Sequence, residues 1–123
     1  MDEFNVVATL NITVTQENID DIMCAALEGG ITYWCGEAEV VGDYLGECSE
    51  EQIARGGTLI LYDAESDDKW ELNRDKLLAG LKMYIENGGA GCVDDESLDT
   101  SYIDADAADS IVQYGLFGEL VFG

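Results

Sequence analysis

The sequence has no histidine and no proline, and only five of its 123 residues are basic. Without histidine, the usual general base for a serine or cysteine nucleophile is missing. No phosphate-binding loop, dinucleotide fingerprint or nucleophile elbow occurs. No apolar run approaches the roughly 18–20 residues of a membrane-spanning helix. These absences argue against an enzyme, against a bound cofactor and against a membrane protein.

The cysteines and the N-terminus point to a reducing compartment. Cys24, Cys35, Cys48 and Cys92 include no Cys-x-x-Cys pair, so the paired spacing of a zinc knuckle is missing. The first residues, MDEFNVV, carry acids where a secretory signal carries bases. We therefore expect an unprocessed cytoplasmic protein with its cysteines as core thiols, although the sequence leaves disulfides open.

Two acidic segments superficially resemble calcium-binding loops. They begin at Asp63 and at Asp104, but neither has glycine at loop position six or an acid at position twelve. Clustering of carboxylates in so acidic a chain explains both segments, so we expect no specific metal site. A weak, adventitious calcium or magnesium site is the alternative.

Length and hydrophobic content predict one folded domain spanning residues 1–123. A chain of this length suits a single domain and is short for two. Hydrophobic residues make up 47% of it, with two tryptophans and six tyrosines. An acidic disordered segment would lack such residues, so a packed core is expected.

The first half of the chain alternates strand and helix signals. Strict period-two alternation predicts a strand over residues 4–15. Thr15 is a suitable N-cap for a following amphipathic helix, which the glycines at 29–30 end. Aromatic and β-branched residues predict a second strand over 31–41.

The second half repeats these signals. Two apolar runs at 58–63 and 69–72 flank an acidic turn and predict a hairpin. Asn73 caps a predicted helix through about 87, and Asp104 or Asp106 caps a last one. The residues 119–123 predict a final strand. The expected fold is α+β: a mainly antiparallel twisted sheet of four to five strands, with two main helices packed on one face.

Charge is distributed very unevenly along the chain, whose formal net charge is −22. Residues 1–54 contain twelve acids and residues 83–123 contain nine, and neither segment contains a base. All five bases lie within 55–82, together with six acids. Ordinary surfaces mix both signs, because like charges repel. Phosphates would be repelled, so we expect no direct contact with nucleic acid.

Regular spacing of these acids is compatible with imitation of a phosphate backbone. Residues two apart on one strand face are separated by about 6.6 Å, as are Glu37 and Glu39 on the predicted second strand. Residues four apart on a helix, such as Glu17 and Asp21, rise by about 6 Å. Exposed aromatic residues, for which Tyr44 and Tyr102 are candidates, would add binding energy.

The acidity also has three interpretations that involve no mimicry. Each single acid is most simply a solvated surface residue. Acid excess with few lysines also suits a protein of a high-salt cytoplasm. A small acidic adaptor or assembly protein would bind one basic partner through a local patch. A halophilic protein should unfold at low salt, whereas a mimic should keep its fold.

Two long segments carry a resemblance to a group of proteins. The segments ITVTQENIDDIMCAALEGGITYWCGEAEVVGDYLGE and ADSIVQYGLFGELVFG resemble small acidic proteins of phages and other mobile elements, whose function is not known. That resemblance implies a context, because such proteins are often anti-CRISPR or antirestriction inhibitors of host defence, several of them DNA-like in charge. It implies no role for any individual residue.

The sequence therefore predicts an acidic inhibitor that binds the basic DNA or RNA channel of a host-defence nuclease. It leaves homodimerisation open, and it does not establish that the two acidic flanks form one surface. The residues expected to stand in for phosphates are the acids of the base-free flanks: Glu37, Glu39, Asp43, Glu47, Glu50, Glu51, Asp94, Asp95, Glu96, Asp99, Asp104, Asp106 and Asp109.

Overall fold

The computed structural model describes residues 2–6 and 10–123 and has a mixed α+β architecture, as predicted. Single turns of 3-10 helix and two π-helical turns lie between or extend the main elements. The helices and strands are α1 (Gln16–Ala25), β1 (Cys35–Val40), β2 (Leu59–Asp63), β3 (Lys69–Leu72), α2 (Arg74–Tyr84), β4 (Val93–Asp94), β5 (Ser97–Leu98) and α3 (Ala105–Phe117).

All three helices begin at capping residues that the sequence predicts, and for α3 the cap is Asp104, one of the two predicted candidates. The Thr15 hydroxyl accepts a hydrogen bond from the Asn18 N–H, and the Asn18 side chain accepts one from the Thr15 N–H. Asn73 caps α2 and Asp104 caps α3 through the backbone N–H three residues later. These side chains satisfy N–H groups that have no partner within the helix. Local sequence is enough to position these helix starts.

The main sheet has three antiparallel strands in the order β1-β2-β3, fewer than the four to five predicted. Leu59, Leu61 and Leu72 lie on its inner face and are fully buried. Strands β4 and β5 form a separate two-stranded hairpin. The sheet is smaller because both terminal segments that were predicted as strands remain outside it.

The predicted strand over residues 4–15 is wrong where the structure describes it; residues 7–9 lie outside the described residues. Residues 10–15 contain only one isolated bridge, between Thr13 and Ser97. Phe4, Val6 and Leu10 are exposed, with 86%, 88% and 62% of their surface accessible. Alternation gives a strand one apolar face but does not supply the neighbouring strand whose backbone it must pair with.

The predicted final strand at 119–123 is also wrong, because a side chain takes the place of a partner strand. The buried Gln113 amide accepts hydrogen bonds from the N–H groups of Val121 and Phe122 at 2.7 and 2.8 Å. It also donates one to the Phe122 carbonyl at 3.2 Å. The Phe122 ring stacks on Trp34, with ring centroids 4.8 Å apart. This segment is therefore held to α3 and to the aromatic core.

The expectation that the cysteines are core thiols is confirmed for two of the four. Cys35 and Cys92 are buried among apolar residues. Cys24, on α1, and Cys48, just before the 3-10 turn Ser49–Glu51, are partly exposed. No disulfide joins any of the four cysteines, all of which lie within the described part of the chain.

Candidate acidic interface

Helix α1, which belongs to the first base-free flank, contacts both the segment around Glu51 and the second flank near Thr100. On one side, the Thr100 hydroxyl donates a hydrogen bond to the Asp21 carboxylate at 2.7 Å. On the other side, the Arg55 guanidinium lies 3.4 Å from the Asp20 carboxylate and 3.6 Å from that of Glu51. Two consecutive acids of α1 thus contact the segment around Thr100 and the segment around Glu51.

We call the resulting set of acids the acidic belt. It comprises the acids of α1, of the loop before and within the 3-10 turn Ser49–Glu51, and of the β4–β5 region: Glu17, Asp20, Asp21, Asp43, Glu47, Glu50, Glu51, Asp94, Asp95, Glu96 and Asp99. Glu17 and Asp21 were noted for their spacing on the predicted helix, but the α1 acids were not among the residues predicted to bind a partner. Their contribution depends on the packing of α1 against the segments around Glu51 and Thr100, which local sequence does not reveal.

A buried glutamine organises the first flank. Gln52 is 1% exposed, and its amide accepts from the Leu45 N–H at 3.0 Å and donates to the Asp43 carbonyl at 3.2 Å. This folds the loop so that Asp43 and Glu47 are exposed beside Tyr44, whose surface is 60% accessible. A candidate aromatic anchor therefore lies next to acids in this loop.

The second flank projects from the small hairpin. Asp94, Asp95 and Glu96 are all exposed at or beside its two-residue turn. Asp95 has a φ of +59°, a backbone conformation that aspartate tolerates better than most residues. The hairpin lies against the segment before α1, because the Thr13 N–H donates to the Glu96 carbonyl at 2.7 Å.

The 3-10 turn Thr100–Tyr102 follows this hairpin and begins at a capping acid. The Asp99 carboxylate accepts hydrogen bonds from the Ser101 hydroxyl at 2.6 Å and from the Ser101 N–H at 3.0 Å. Those two bonds lower the pKa of Asp99, since they favour the charged form. Asp99 therefore carries its negative charge to lower pH, and Tyr102 is exposed close by, with 68% of its surface accessible.

The three predicted acids of α3 have different roles in the fold. Asp104 caps the helix, and Asp106 is exposed in its first turn. Both carboxylate oxygens of Asp109 are used internally. One accepts from the Trp34 indole at 2.8 Å and the Gln113 amide at 2.9 Å, and the other accepts from the Tyr33 hydroxyl at 2.6 Å. Asp109 thus joins α3 to the turn before β1.

This arrangement also affects the Tyr33 phenol. Burial, the hydrogen bond to Asp109 and the charge of Asp109 raise the pKa of Tyr33 to about 12. The phenol therefore remains protonated and keeps donating to Asp109 far above neutral pH. A carboxylate held in this way is less free to contact a partner than the exposed Asp106.

Glu37 and Glu39 lie on the same exposed face of β1, as predicted. The Tyr62 hydroxyl of β2 donates to the Glu39 carboxylate at 3.1 Å, and that hydrogen bond raises the pKa of the Tyr62 phenol. Glu37 also lines a shallow groove of about 220 Å³ together with Glu50 and Leu27. This face of β1 therefore approaches the acidic belt where Glu37 lies near Glu50, whereas Glu39 is hydrogen-bonded to Tyr62 of the neighbouring strand.

Most of the bases lie on elements that do not contribute to the acidic belt. Lys69 lies on β3, and Arg74, Lys76 and Lys82 lie on α2. Arg55 is the exception, and it contacts two acids of the belt. Apart from Arg55, the bases therefore lie on different helices and strands from the acids of the belt, as they lie in a different part of the sequence.

Neither a metal centre nor a membrane span is evident in the described residues. Within 2–6 and 10–123, no three metal-ligating side chains are grouped closely enough to hold an ion. The Asp63 carboxylate instead accepts from the N–H groups of Glu65 and Ser66, which shapes the β2–β3 turn. In the same part of the chain, each helix is too short or too polar to cross a bilayer.

Comparisons with protein-family models, with curated proteins and with solved structures find no match to this chain.

Proposed function

We propose that this protein is an inhibitor that binds the basic nucleic-acid channel of a nuclease, with the acidic belt in place of phosphates. The observation that supports this proposal is the position of α1, which contacts both the segment around Glu51 and the segment around Thr100. Arg55 links Asp20 to Glu51, and Thr100, which follows Asp99, donates a hydrogen bond to Asp21, so acidic segments that are distant in the sequence pack against one helix. A host-defence nuclease of the CRISPR or restriction type is the target that the phage-protein resemblance favours.

Electrostatics would dominate the association. A protein of net charge −22 is attracted over long distances to a positively charged channel, which speeds association and makes it sensitive to salt. The exposed rings of Tyr44 and Tyr102 are suited to provide local apolar contacts next to the acids. Repulsion between the acids and phosphate would prevent this protein from binding the nucleic acid itself.

A matched pair of charge reversals tests which acids matter. The variant Asp94→Lys/Glu96→Lys changes the β4–β5 hairpin, and the control Glu65→Lys/Asp67→Lys changes the β2–β3 turn by the same charge. Asp95 stays unchanged because of its positive φ. We expect the hairpin variant to weaken binding at least tenfold and the control to weaken it much less. Equal losses would contradict a role for the belt.

The partner itself is identified by capture on the immobilised protein from a bacterial lysate, followed by elution in a salt gradient. Release of a nuclease by intermediate salt and by added duplex DNA or RNA, together with its loss from the hairpin variant, supports the proposal. A partner that stays bound in excess nucleic acid and high salt contradicts it.

The same experiment distinguishes the second candidate, an acidic adaptor or assembly protein. The exposed apolar side chains of Phe4, Val6 and Leu10 favour this alternative, because an adaptor needs a local contact surface. Its binding should depend on these side chains and should survive added nucleic acid. Replacing Phe4 and Val6 by serine would then abolish capture, whereas the Asp94→Lys/Glu96→Lys variant would retain it.

A further inference from the structure

We propose that Cys24 and Cys48 form a reversible disulfide that ties the acidic loop before Ser49 to α1. This inference rests on the packing of α1 against the 3-10 turn Ser49–Glu51 and does not depend on the proposed function. The other two cysteines, Cys35 and Cys92, are buried in the core and serve as internal controls.

Two sets of contacts bracket Cys24 along one side of α1. One turn earlier, Asp20 is joined to Glu51 by the Arg55 guanidinium, at 3.4 and 3.6 Å. One turn later, Leu27 lines the same groove as Ser49 and Glu50. Residues i, i+4 and i+7 lie on one helix face, so Cys24 faces the chain between these contacts.

Cys48 occupies the matching position on the other segment. It is the extended residue directly before the 3-10 turn Ser49–Glu51 and lies three residues before Glu51, roughly 6–7 Å away when two 3-10 steps and one extended step are added. The step from Asp20 to Cys24 along α1 is also about 6 Å. Arg55 joins Asp20 to Glu51, and Leu27 lines a groove with Ser49 and Glu50, so the two segments run in opposite directions. The step forward from Asp20 to Cys24 and the step back from Glu51 to Cys48 therefore lead the same way in space and bring the two cysteines opposite each other.

The surroundings of the thiols agree with this proximity. Burial and the charges of Glu28, Glu50 and Cys48 raise the pKa of Cys24. A hydrogen bond with Glu50 raises the pKa of Cys48. Both cysteines are partly exposed, so a small oxidant has access to them. Since the thiolate is the attacking species, exchange should be slow at neutral pH.

The reaction needs a small-molecule disulfide such as oxidised glutathione. One cysteine thiolate attacks it, forms a mixed disulfide and releases one glutathione. The second cysteine thiolate then attacks the protein sulfur of that mixed disulfide and releases the second glutathione. The two protons lost by the cysteines are taken up by the two released thiolates, and the protein is oxidised by two electrons.

The test is to incubate the reduced, folded full-length protein with oxidised glutathione, block free thiols and map disulfides by mass spectrometry. Cleavage after Glu28, Glu37, Glu39 or Glu47 places Cys24 and Cys48 on separate peptides. We expect one Cys24–Cys48 cross-link, with Cys35 and Cys92 blocked only after denaturation. Stable glutathione adducts on the native pair, a bridge to Cys35 or Cys92, or no reaction would each overturn the proposal.

Two single variants provide a second measurement. Cys24→Ser and Cys48→Ser should each stop at a glutathione adduct on the remaining cysteine, because the resolving thiol is absent. Closing the loop should raise the melting temperature of the oxidised wild-type protein by roughly 5–15 °C. The same treatment should not raise it in either variant, and an equal rise there would contradict the proposed bond.

Discussion

Asp109 illustrates how one residue can look like a surface acid in the sequence and belong to the framework in the structure. Its carboxylate accepts hydrogen bonds from Tyr33, Trp34 and Gln113, which lie on two different segments. Gln113 in turn holds the backbone of Val121 and Phe122. Part of the acid excess therefore stabilises the fold, in addition to any role in binding.

We expect Asp109→Ala to lower the free energy of unfolding by about 2–4 kcal/mol, because the buried Trp34 indole N–H and the Gln113 amide would each lose an acceptor. Chemical denaturation measures this loss. Asp106→Ala, in the exposed first turn of the same helix, is the control and should cost less than about 1 kcal/mol. Equal effects of the two substitutions would show that the network around Asp109 contributes nothing.

The same variant should change the titration of Tyr33. Its folded-state pKa of about 12 is above the usual value of 10.0, so this group stabilises the fold fully below pH 10 and loses that contribution as the pH rises towards 12. Removing Asp109 should move the tyrosinate absorbance change of Tyr33 to lower pH. An unchanged titration would contradict the hydrogen bond between them.

At the scale of elements, two glycines determine how closely α2 and α3 pack. A Cβ atom at Gly80 would clash with the Ile111 carbonyl and lie 2.6 Å from the Gly115 N atom. A Cβ atom at Gly115 would clash with the Lys76 carbonyl. Helix propensity alone would favour alanine over glycine at such positions, but backbone contact between the helices rules it out.

We therefore expect Gly80→Ala to destabilise the protein by roughly 1–3 kcal/mol or more, against the trend of helix propensity. Gly29→Ala is the matched control, because a Cβ atom there would have no neighbour within 4 Å and the backbone has no positive φ. The control should be neutral or should stabilise by up to about 1 kcal/mol. Thermal denaturation of both variants gives the comparison, and a stabilised Gly80→Ala protein would contradict the close packing.

At the scale of the whole molecule, repulsion among the acids opposes folding. The net charge of −22 is accompanied by only two ion pairs among the described residues, both made by Arg55. The apolar core includes ten fully buried large aliphatic or methionine side chains, so burial of apolar surface offsets that repulsion. If the core outweighs the repulsion, the protein keeps its fold at low salt, as expected of a mimic; a salt-adapted protein should unfold there.

We expect the protein to unfold cooperatively at about 0.01 M salt and to melt several degrees higher at about 0.15 M. The reason is that the screening length falls from about 30 Å to about 8 Å over this range. Circular dichroism during heating measures both. Loss of the folded state at low salt would favour adaptation to a high-salt cytoplasm and count against the proposed inhibitor.

Local sequence determined the features of this protein that depend on neighbouring residues. The caps Thr15, Asn73 and Asp104 and the β2–β3 hairpin are all found where the sequence predicts them. A capping bond spans three residues and a hairpin turn spans a few more, so the information is contained in a short segment.

Tertiary structure alone decided the features that need a distant partner. The alternating residues 10–15 gained no neighbouring strand, and the segment 119–123 was held by the Gln113 side chain instead of a strand. The position of α1 between Glu51 and Thr100 likewise brought two acidic flanks together. Periodicity and composition specify which face of a segment is apolar, but the packing of the whole chain selects what that face and its backbone contact.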